Sequence, residues 1–272
     1  GGASPGLAAT LAGRLLCDTY LASRDLVREV DYTLATMARV LLGQARADLP
    51  PGGVASLYEG GPDALLRLVK HAEGDAWLAL GLATHLNALP LTRALACLSG
   101  SLWARALLGQ RAGRIEMLLL HELHARKMLC PDRLSTRDRE RLAAAAAHGS
   151  GGGPAAAPAK GPQYAGGLVL EPKKGLYDRY VLLLDFNSLY PSIIQEYDLC
   201  FTTVEPGPAG GGPAPLPPPP ASPEDAALLP TVIRGLVQRR RAVKDLLRGE
   251  RDALRRAQLD IRQQALKLTA NS

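Results

Sequence analysis

The chain has 272 residues, of which 47% are hydrophobic and 21% are charged, and its formal net charge is +6. This length allows one large domain or two modest ones, and the small positive surplus favours an anionic partner without requiring one. No apolar run reaches the roughly 20 residues of a membrane helix, and the four cysteines form no CxxC pair of the kind that binds zinc. Composition therefore excludes a membrane-spanning protein and a zinc ribbon, and predicts a soluble intracellular protein with free thiols.

The first predicted region, residues 1–141, is rich in leucine and alanine. Apolar residues recur at three- and four-residue spacing, as in Leu78, Leu82 and Leu86, which predicts mainly helical structure. His121 and His124 are three residues apart instead of the four of a zincin pair, so we expect ordinary surface histidines. Residues 142–163 follow with little bulky apolar surface, which predicts a low-complexity linker.

The next region, residues 164–205, contains the aliphatic run Tyr180–Asp185, which predicts a buried strand that ends on a carboxylate. Pro191 suits the first turn of a helix that follows directly. A strand, a turn and a helix in this order present carboxylate oxygens for magnesium and backbone N–H groups for phosphates. Asp185 is therefore a candidate metal ligand, and the ordinary alternative is an acid that caps the helix.

A Pro- and Gly-rich insertion is predicted for residues 206–224, and a basic helical region for residues 225–272. Two antiparallel helices are expected there, joined near Gly249. The cationic pair Arg240 and Lys244 stands four residues apart on one helix face. The helical pattern still runs at Ser272 without a capping residue, and there is no initiating methionine, so both ends are expected to be truncated.

The segment DFNSLYPSII at residues 185–194 resembles the first catalytic motif of the family B DNA polymerases, DxxSLYPSII. Asn187, the pair Gln195–Glu196 and the segment Phe201–Val204 resemble the alpha branch of that family. The resemblance implies an α+β fold. A proofreading-inactive, exonuclease-like, helix-rich region (1–141) would precede a segment of the polymerase palm with an antiparallel sheet (164–205) and two truncated fingers helices (225–272).

The resemblance also assigns roles within the first motif. Asp185 matches the catalytic, metal-binding aspartate, and Phe186 would add its backbone carbonyl to the same cation. Ser188 and Leu189 would offer backbone N–H groups to the phosphates of the nucleotide. Tyr190 matches the steric gate, whose ring leaves no room for a 2′-hydroxyl and so selects deoxyribose.

Further matches lie on either side of this motif. Arg240, Lys244 and Lys267 match positions that contact the triphosphate, and Asn271 matches one that supports the nucleotide site. The segment Tyr164-Ala165-Gly166-Gly167 resembles the YxGG element, which implies template contacts for its Tyr164, Gly166 and Gly167.

The exonuclease-like region lacks the acids that a nuclease needs. Alignment on Leu89–Pro90 puts Leu82 and Leu86 where active members carry a tyrosine and an aspartate, and no acid occurs between Asp75 and Glu116. A two-metal nuclease needs carboxylates to hold its cations. The sequence therefore predicts no proofreading.

The predicted function is template-directed DNA synthesis, in which a primer 3′-hydroxyl attacks the α-phosphate of a dNTP with two Mg²⁺ ions bound. The family's YGDTDS motif, which supplies a second carboxylate, is absent from these residues, so the chain is expected to be inactive alone. By resemblance the partners are a DNA primer-template, a primase and an accessory polymerase subunit, whose binding regions are expected to be missing, and the location is the nucleus. The alternatives are a non-catalytic DNA-binding or scaffolding module and a truncated product that never folds.

Overall fold

The computed structural model describes residues 10–46, 49, 52–130, 135–138, 140–141, 169–186, 188–204, 216–218, 220–222 and 225–271. The chain divides into two compact units, one within residues 1–128 and 187–272 and the other within residues 129–186. The predicted linker lies outside the described residues, as does most of the Pro- and Gly-rich insertion. The division into the five segments expected from the sequence stays a prediction.

The described part of the first unit is helical, as the leucine and alanine spacing predicts for its first half. No described helix is both long enough and apolar enough to cross a membrane. The helices, in chain order, are α1 (Thr19–Leu26), α2 (Leu34–Met37) with a π-helical continuation (Ala38–Leu42), α3 (Gly53–Glu59), α4 (Pro62–His85), α5 (Ala88–Ser99), α6 (Trp103–Leu107), α7 (Arg111–Ala125), α8 (Leu189–Glu196), α9 (Leu228–Gly249) and α10 (Ala253–Ala270).

Helices α9 and α10 form the predicted pair, and residues 250–252 connect them. The Asp252 carboxylate caps the start of α10 by accepting hydrogen bonds from the N–H groups of Leu254 and Arg255, both at 3.3 Å. Such a cap satisfies N–H groups that have no partner within the helix. The connection is therefore short and ends in a defined helix start.

Helix α10 lies between α9 and α5. On one side Leu266 packs with Leu236 and Val243 of α9, and on the other Ala265 packs with residues of α5, among them Leu91. Leu266 and Ala265 are both fully buried. Burying one leucine contributes about 1.5–3 kcal/mol, so this apolar seam fixes the two basic helices against the rest of the unit.

The predicted α+β fold with an antiparallel sheet is wrong for the part of the chain that the structure describes. No described residue belongs to a β-strand, and the expected buried strand at Tyr180–Asp185 is exposed, with Leu183 at 90%. An extended segment cannot pair its backbone N–H and C=O groups within itself, and it forms a sheet only with a neighbouring strand. No described segment forms such a pair with it, so its aliphatic side chains have no sheet face to bury.

Candidate functional site

A cavity of about 500 Å³ lies in the first unit, between helix α8 and the two basic helices α9 and α10. Five of the residues predicted from the sequence line it: Ser188, Arg240, Lys244, Lys267 and Asn271. They come from the start of α8, from α9 and from the end of α10, and the packing of Leu266 described above holds α9 and α10 together. The structure therefore brings residues that are up to 83 positions apart in sequence (271 − 188) to one cavity.

The charge of the cavity is strongly positive. Its lining includes one carboxylate, that of Glu196, and five cationic side chains, those of Arg234, Arg240, Arg241, Lys244 and Lys267. A concave surface that carries one sign of charge concentrates the field and attracts counter-ions. The arrangement suits an anion with several charges.

Among the cavity residues, Arg240 has a buried hydrogen-bond donor without a partner in the described part of the chain. Its side chain is half-buried, and its Nε–H is buried without a hydrogen-bond partner among the described residues. A buried donor left unpaired costs about 1–3 kcal/mol, and more when the group is charged. An anionic oxygen at this place would remove that cost and form a charge-assisted hydrogen bond.

The start of α8 contributes backbone donors. Ser188 precedes the helix in a left-handed conformation (φ 55°), and no side chain caps the helix. The carbonyl oxygen of Ser188 accepts the N–H of Ser192 at 3.0 Å, whereas the first N–H groups of a helix, here those of Leu189 and Tyr190, have no partner inside the helix. A helix start of this kind favours phosphate.

The other predicted residues lie elsewhere. The side chains of Leu189 and Tyr190 are 40% and 76% exposed and are not part of the cavity lining. Asp185 and Phe186 belong to the second unit, where both are exposed. The predicted template contacts, Tyr164, Gly166 and Gly167, fall outside the described residues.

The metal-binding side chains in the described parts of both units are scattered. Within the ranges that the structure describes, no three acidic, histidine or cysteine side chains lie close enough together to hold a cation. The His121 ring, a doubtful ligand by its spacing, lies with Nε2 at 3.3 Å from the carbonyl oxygen of Gly100.

Two cationic residues of the cavity were missed in the sequence. Arg234 and Arg241 line it beside the predicted pair on α9. They are seven residues apart, a spacing that places them on one helix face, and this was the available signal. In a helix with so many arginines, spacing alone did not separate cavity-facing from solvent-facing positions.

Comparison with known proteins agrees with the family resemblance. The sequence profile described as DNA polymerase family B matches residues 101–272. The DNA polymerase alpha catalytic subunit of Oryza sativa subsp. japonica is 50% identical, over 100% of this chain and 18% of that protein. The same subunit of Arabidopsis thaliana is 45% identical, again over 100% of this chain and 18% of the relative. The chain thus spans less than a fifth of the length of these curated relatives.

A solved structure shows the same relationship. The family B DNA polymerase from the hyperthermophilic archaeon Pyrobaculum calidifontis superposes with a TM-score of 0.67 at 27% sequence identity, covering 96% of this chain and 32% of that one. The similarity to the alpha branch inferred from Asn187 and its neighbours is confirmed by the plant relatives. By its sequence profile, the chain belongs to DNA polymerase family B.

Proposed function

We propose that this chain is the part of a DNA polymerase that binds the incoming deoxynucleoside triphosphate, within an enzyme that extends a primer 3′-hydroxyl along a DNA template. The observation that carries the proposal is the cavity between α8, α9 and α10, which gathers cations from two helices around the unpaired Nε–H of Arg240. Membership of the polymerase family supports the reaction, and the cavity supports the ligand.

The triphosphate is the part of the nucleotide that this cavity fits. Arg240 and Lys244 stand one turn apart on α9, and Lys267 reaches the same space from α10. Arg240 would place N–H groups on phosphate oxygens, while the two lysines act as point charges. During nucleotidyl transfer, negative charge grows on the leaving pyrophosphate, and cations already held in place would stabilise it.

The N–H groups of Ser188 and Leu189, as the resemblance implies, and that of Tyr190 beside them are proposed to complete the phosphate site, because the start of α8 lies at the cavity through Ser188 and Pro191. Tyr190 is the second residue of α8, and its ring is exposed. We propose that it packs under the sugar and excludes the 2′-hydroxyl, as the family resemblance implies. Selection for deoxyribose would then rest on shape rather than on a hydrogen bond.

Magnesium is proposed to bind at Asp185. The exposed carboxylate of Asp185 and the carbonyl oxygen of Phe186 are the hard oxygen donors that magnesium prefers. When bound, magnesium would neutralise charge on the phosphoryl oxygens. One carboxylate supplies part of a two-metal site, and the sequence contains no YGDTDS motif for a second. We therefore propose that residues 1–272 alone do not extend primers.

The wider setting of the polymerase is also a proposal, which the relatives support. We propose a DNA primer-template as the macromolecular partner, with Tyr164, Gly166 and Gly167 near the template strand, and action in nuclear replication. Primase and the accessory subunit remain partners implied by the alpha branch.

A calorimetric titration of dTTP with Mg²⁺ into the chain tests the nucleotide proposal. Arg240→Gln should weaken binding about tenfold, because it removes a charge and leaves the phosphate without its charge-assisted hydrogen bonds. Arg239→Gln is the matched control: Arg239 is the adjacent arginine, is exposed and does not line the cavity. Equal loss in both variants would indicate general attraction to a basic helix and would favour a non-catalytic DNA-binding module.

A further inference from the structure

The turn that follows α8 makes polar contacts with the start of α9. Asp198 lies in this turn with a side chain that is 5% exposed, and its Oδ1 accepts a hydrogen bond from the N–H of Ala227 at 3.0 Å. Cys200 is 3% exposed, and its Sγ accepts the N–H of Leu229 at 3.5 Å. The first turn of α9 is therefore capped by residues that lie 29 positions earlier in the chain.

Helix α9 has no cap of its own. Its N-cap residue, Ala227, carries no side-chain oxygen, so the first N–H groups of this 22-residue helix need acceptors from elsewhere. Asp198 forms no ion pair with any described residue, and the partially positive start of α9 faces its carboxylate instead. Burying a carboxyl group is costly unless it is hydrogen-bonded, and the contact with the start of α9 offsets part of that cost.

The start of α9 also affects the pKa of the Cys200 thiol. Burial raises the pKa of the Cys200 thiol, but hydrogen bonds from Thr202 and from the N–H groups of Leu229 and Leu228 outweigh burial, so the pKa lies below its ordinary value. Asp198 and Cys200 therefore both accept hydrogen bonds from N–H groups at the start of α9, and both belong to one turn.

The turn is itself held in one conformation. Asp198 adopts a left-handed backbone with φ 46°, a region that aspartate enters more readily than most residues. The Thr203 hydroxyl donates to the carbonyl oxygen of Asp198 at 2.7 Å and accepts the N–H of Cys200 at 3.0 Å. The carboxylate of Asp198 is thus aimed by its own turn rather than by the helix it caps.

This contact joins the two elements that form opposite sides of the cavity. Helix α8 and the residue before it line the cavity through Ser192 and Ser188, and α9 lines it through Arg240 and Lys244. At 1.5 Å per residue, Arg240 lies about 16 Å along α9 from Leu229, and Lys244 about 22 Å. A change in the angle of α9 at its first turn would displace these two side chains in proportion to those distances, against the resistance of the seam around Leu266.

We propose that Asp198 is a positioning residue for nucleotide binding: by capping α9 from the turn after α8, it sets how far Arg240 and Lys244 stand from the phosphate-facing start of α8. The inference rests on the proposed nucleotide site. It assigns to Asp198 no contact with the nucleotide.

Two variants separate the cap from backbone strain. Asp198→Gly keeps the left-handed backbone without strain and removes the acceptor, whereas Asp198→Asn keeps an acceptor oxygen of the same reach and removes the charge. The matched control is Asp252→Gly, which removes the exposed cap of α10 from Leu254 and Arg255 without breaking a link between helices. Each chain is titrated with dTTP and Mg²⁺, and amide exchange is followed at Ala227, whose N–H donates to Asp198.

Asp198→Gly should weaken dTTP binding about tenfold and speed amide exchange at the start of α9. Asp198→Asn should stay within about threefold of the original chain, and Asp252→Gly within about twofold. Unchanged binding by Asp198→Gly, while the original chain binds dTTP, would overturn the inference alone. Absence of dTTP binding by the original chain would overturn the proposed nucleotide site, and the inference with it.

Discussion

The helices around the cavity and the extended segment at residues 169–186 both carry residues that the sequence singles out, yet they are held in different ways. Arg240, Lys244 and Lys267 project from helices whose other faces are buried. Asp185 projects from a segment whose aliphatic side chains are exposed. A helix completes its backbone hydrogen bonds within itself, whereas a strand needs a neighbour. Local sequence therefore suffices to form the first kind of element and not the second.

The largest expected effect comes from a change that breaks the packing of the helices around the cavity. Leu266→Ala removes a fully buried side chain from the seam between α9 and α10, so the free energy of unfolding should fall by about 2–5 kcal/mol. The same change at Leu183, which is 90% exposed, should alter it by less than about 0.5 kcal/mol. Urea denaturation measures both. Comparable losses would show that the extended segment is packed as firmly as the helices.

A second expected difference concerns access to protease. Lys174 and Arg179 lie in the extended segment, whereas Arg241 lies within α9. Cleavage requires the local chain to open, and a packed helix opens rarely. Limited trypsin digestion followed by mass spectrometry should show cleavage after Lys174 and Arg179 well before cleavage after Arg241. Early cleavage after Arg241 would mean that α9 is not a stable part of the fold.

The smallest effect tests whether a polar contact in the first unit matters for stability. Arg46 binds Asp75 through Nε–Oδ1 and Nη2–Oδ2 contacts of 2.6 and 2.7 Å, and hydrogen bonding from Arg46 lowers the pKa of Asp75 below 3.8. The contribution of the Arg46–Asp75 pair to the stability of the fold is therefore present above pH 3.8, and it is lost as the pH falls through the lowered pKa of Asp75. Arg46→Gln should cost about 1 kcal/mol at pH 7 and less in strong acid, where the Asp75 carboxyl is neutral.

The control for this change is Arg248→Gln. Arg248 pairs with Asp245, and both side chains are more than 60% exposed, so its loss should cost less than about 0.5 kcal/mol at any pH. Thermal unfolding from pH 2 to 7 compares the two variants. A cost for Arg46→Gln that does not change with pH would contradict the assigned role of the Asp75 carboxylate.

The sequence predicted the elements that depend on neighbouring residues. The apolar spacing gave the paired helices α9 and α10, and Pro191 indicated the helix that begins at Leu189. The spacing of Arg240 and Lys244 correctly placed both side chains on one face, and both line the cavity. In each case the determining contacts lie within a few turns of one helix.

Features that depend on distant residues were not predicted. The aliphatic run at Tyr180–Asp185 has the composition of a buried strand, but composition does not supply the partner strand, and the segment is exposed. The cap of α9 by Asp198 joins residues 29 positions apart, and nothing in the local pattern around Asp198 indicates it. Contacts between elements are set by the packing of the whole unit and leave no periodic signal in the sequence.

The central claim is that the cavity around Arg240 holds the triphosphate of a nucleotide, and the Arg240 Nε–H reports on it most directly because this group is buried and unpaired among the described residues. We would follow the arginine Nε–H resonances of the ¹⁵N-labelled chain while dTTP and Mg²⁺ are added. The account predicts a saturable shift of the Arg240 resonance with little change at the exposed Arg239. An unchanged Arg240 resonance at saturating dTTP, or equal shifts at both residues, would contradict it.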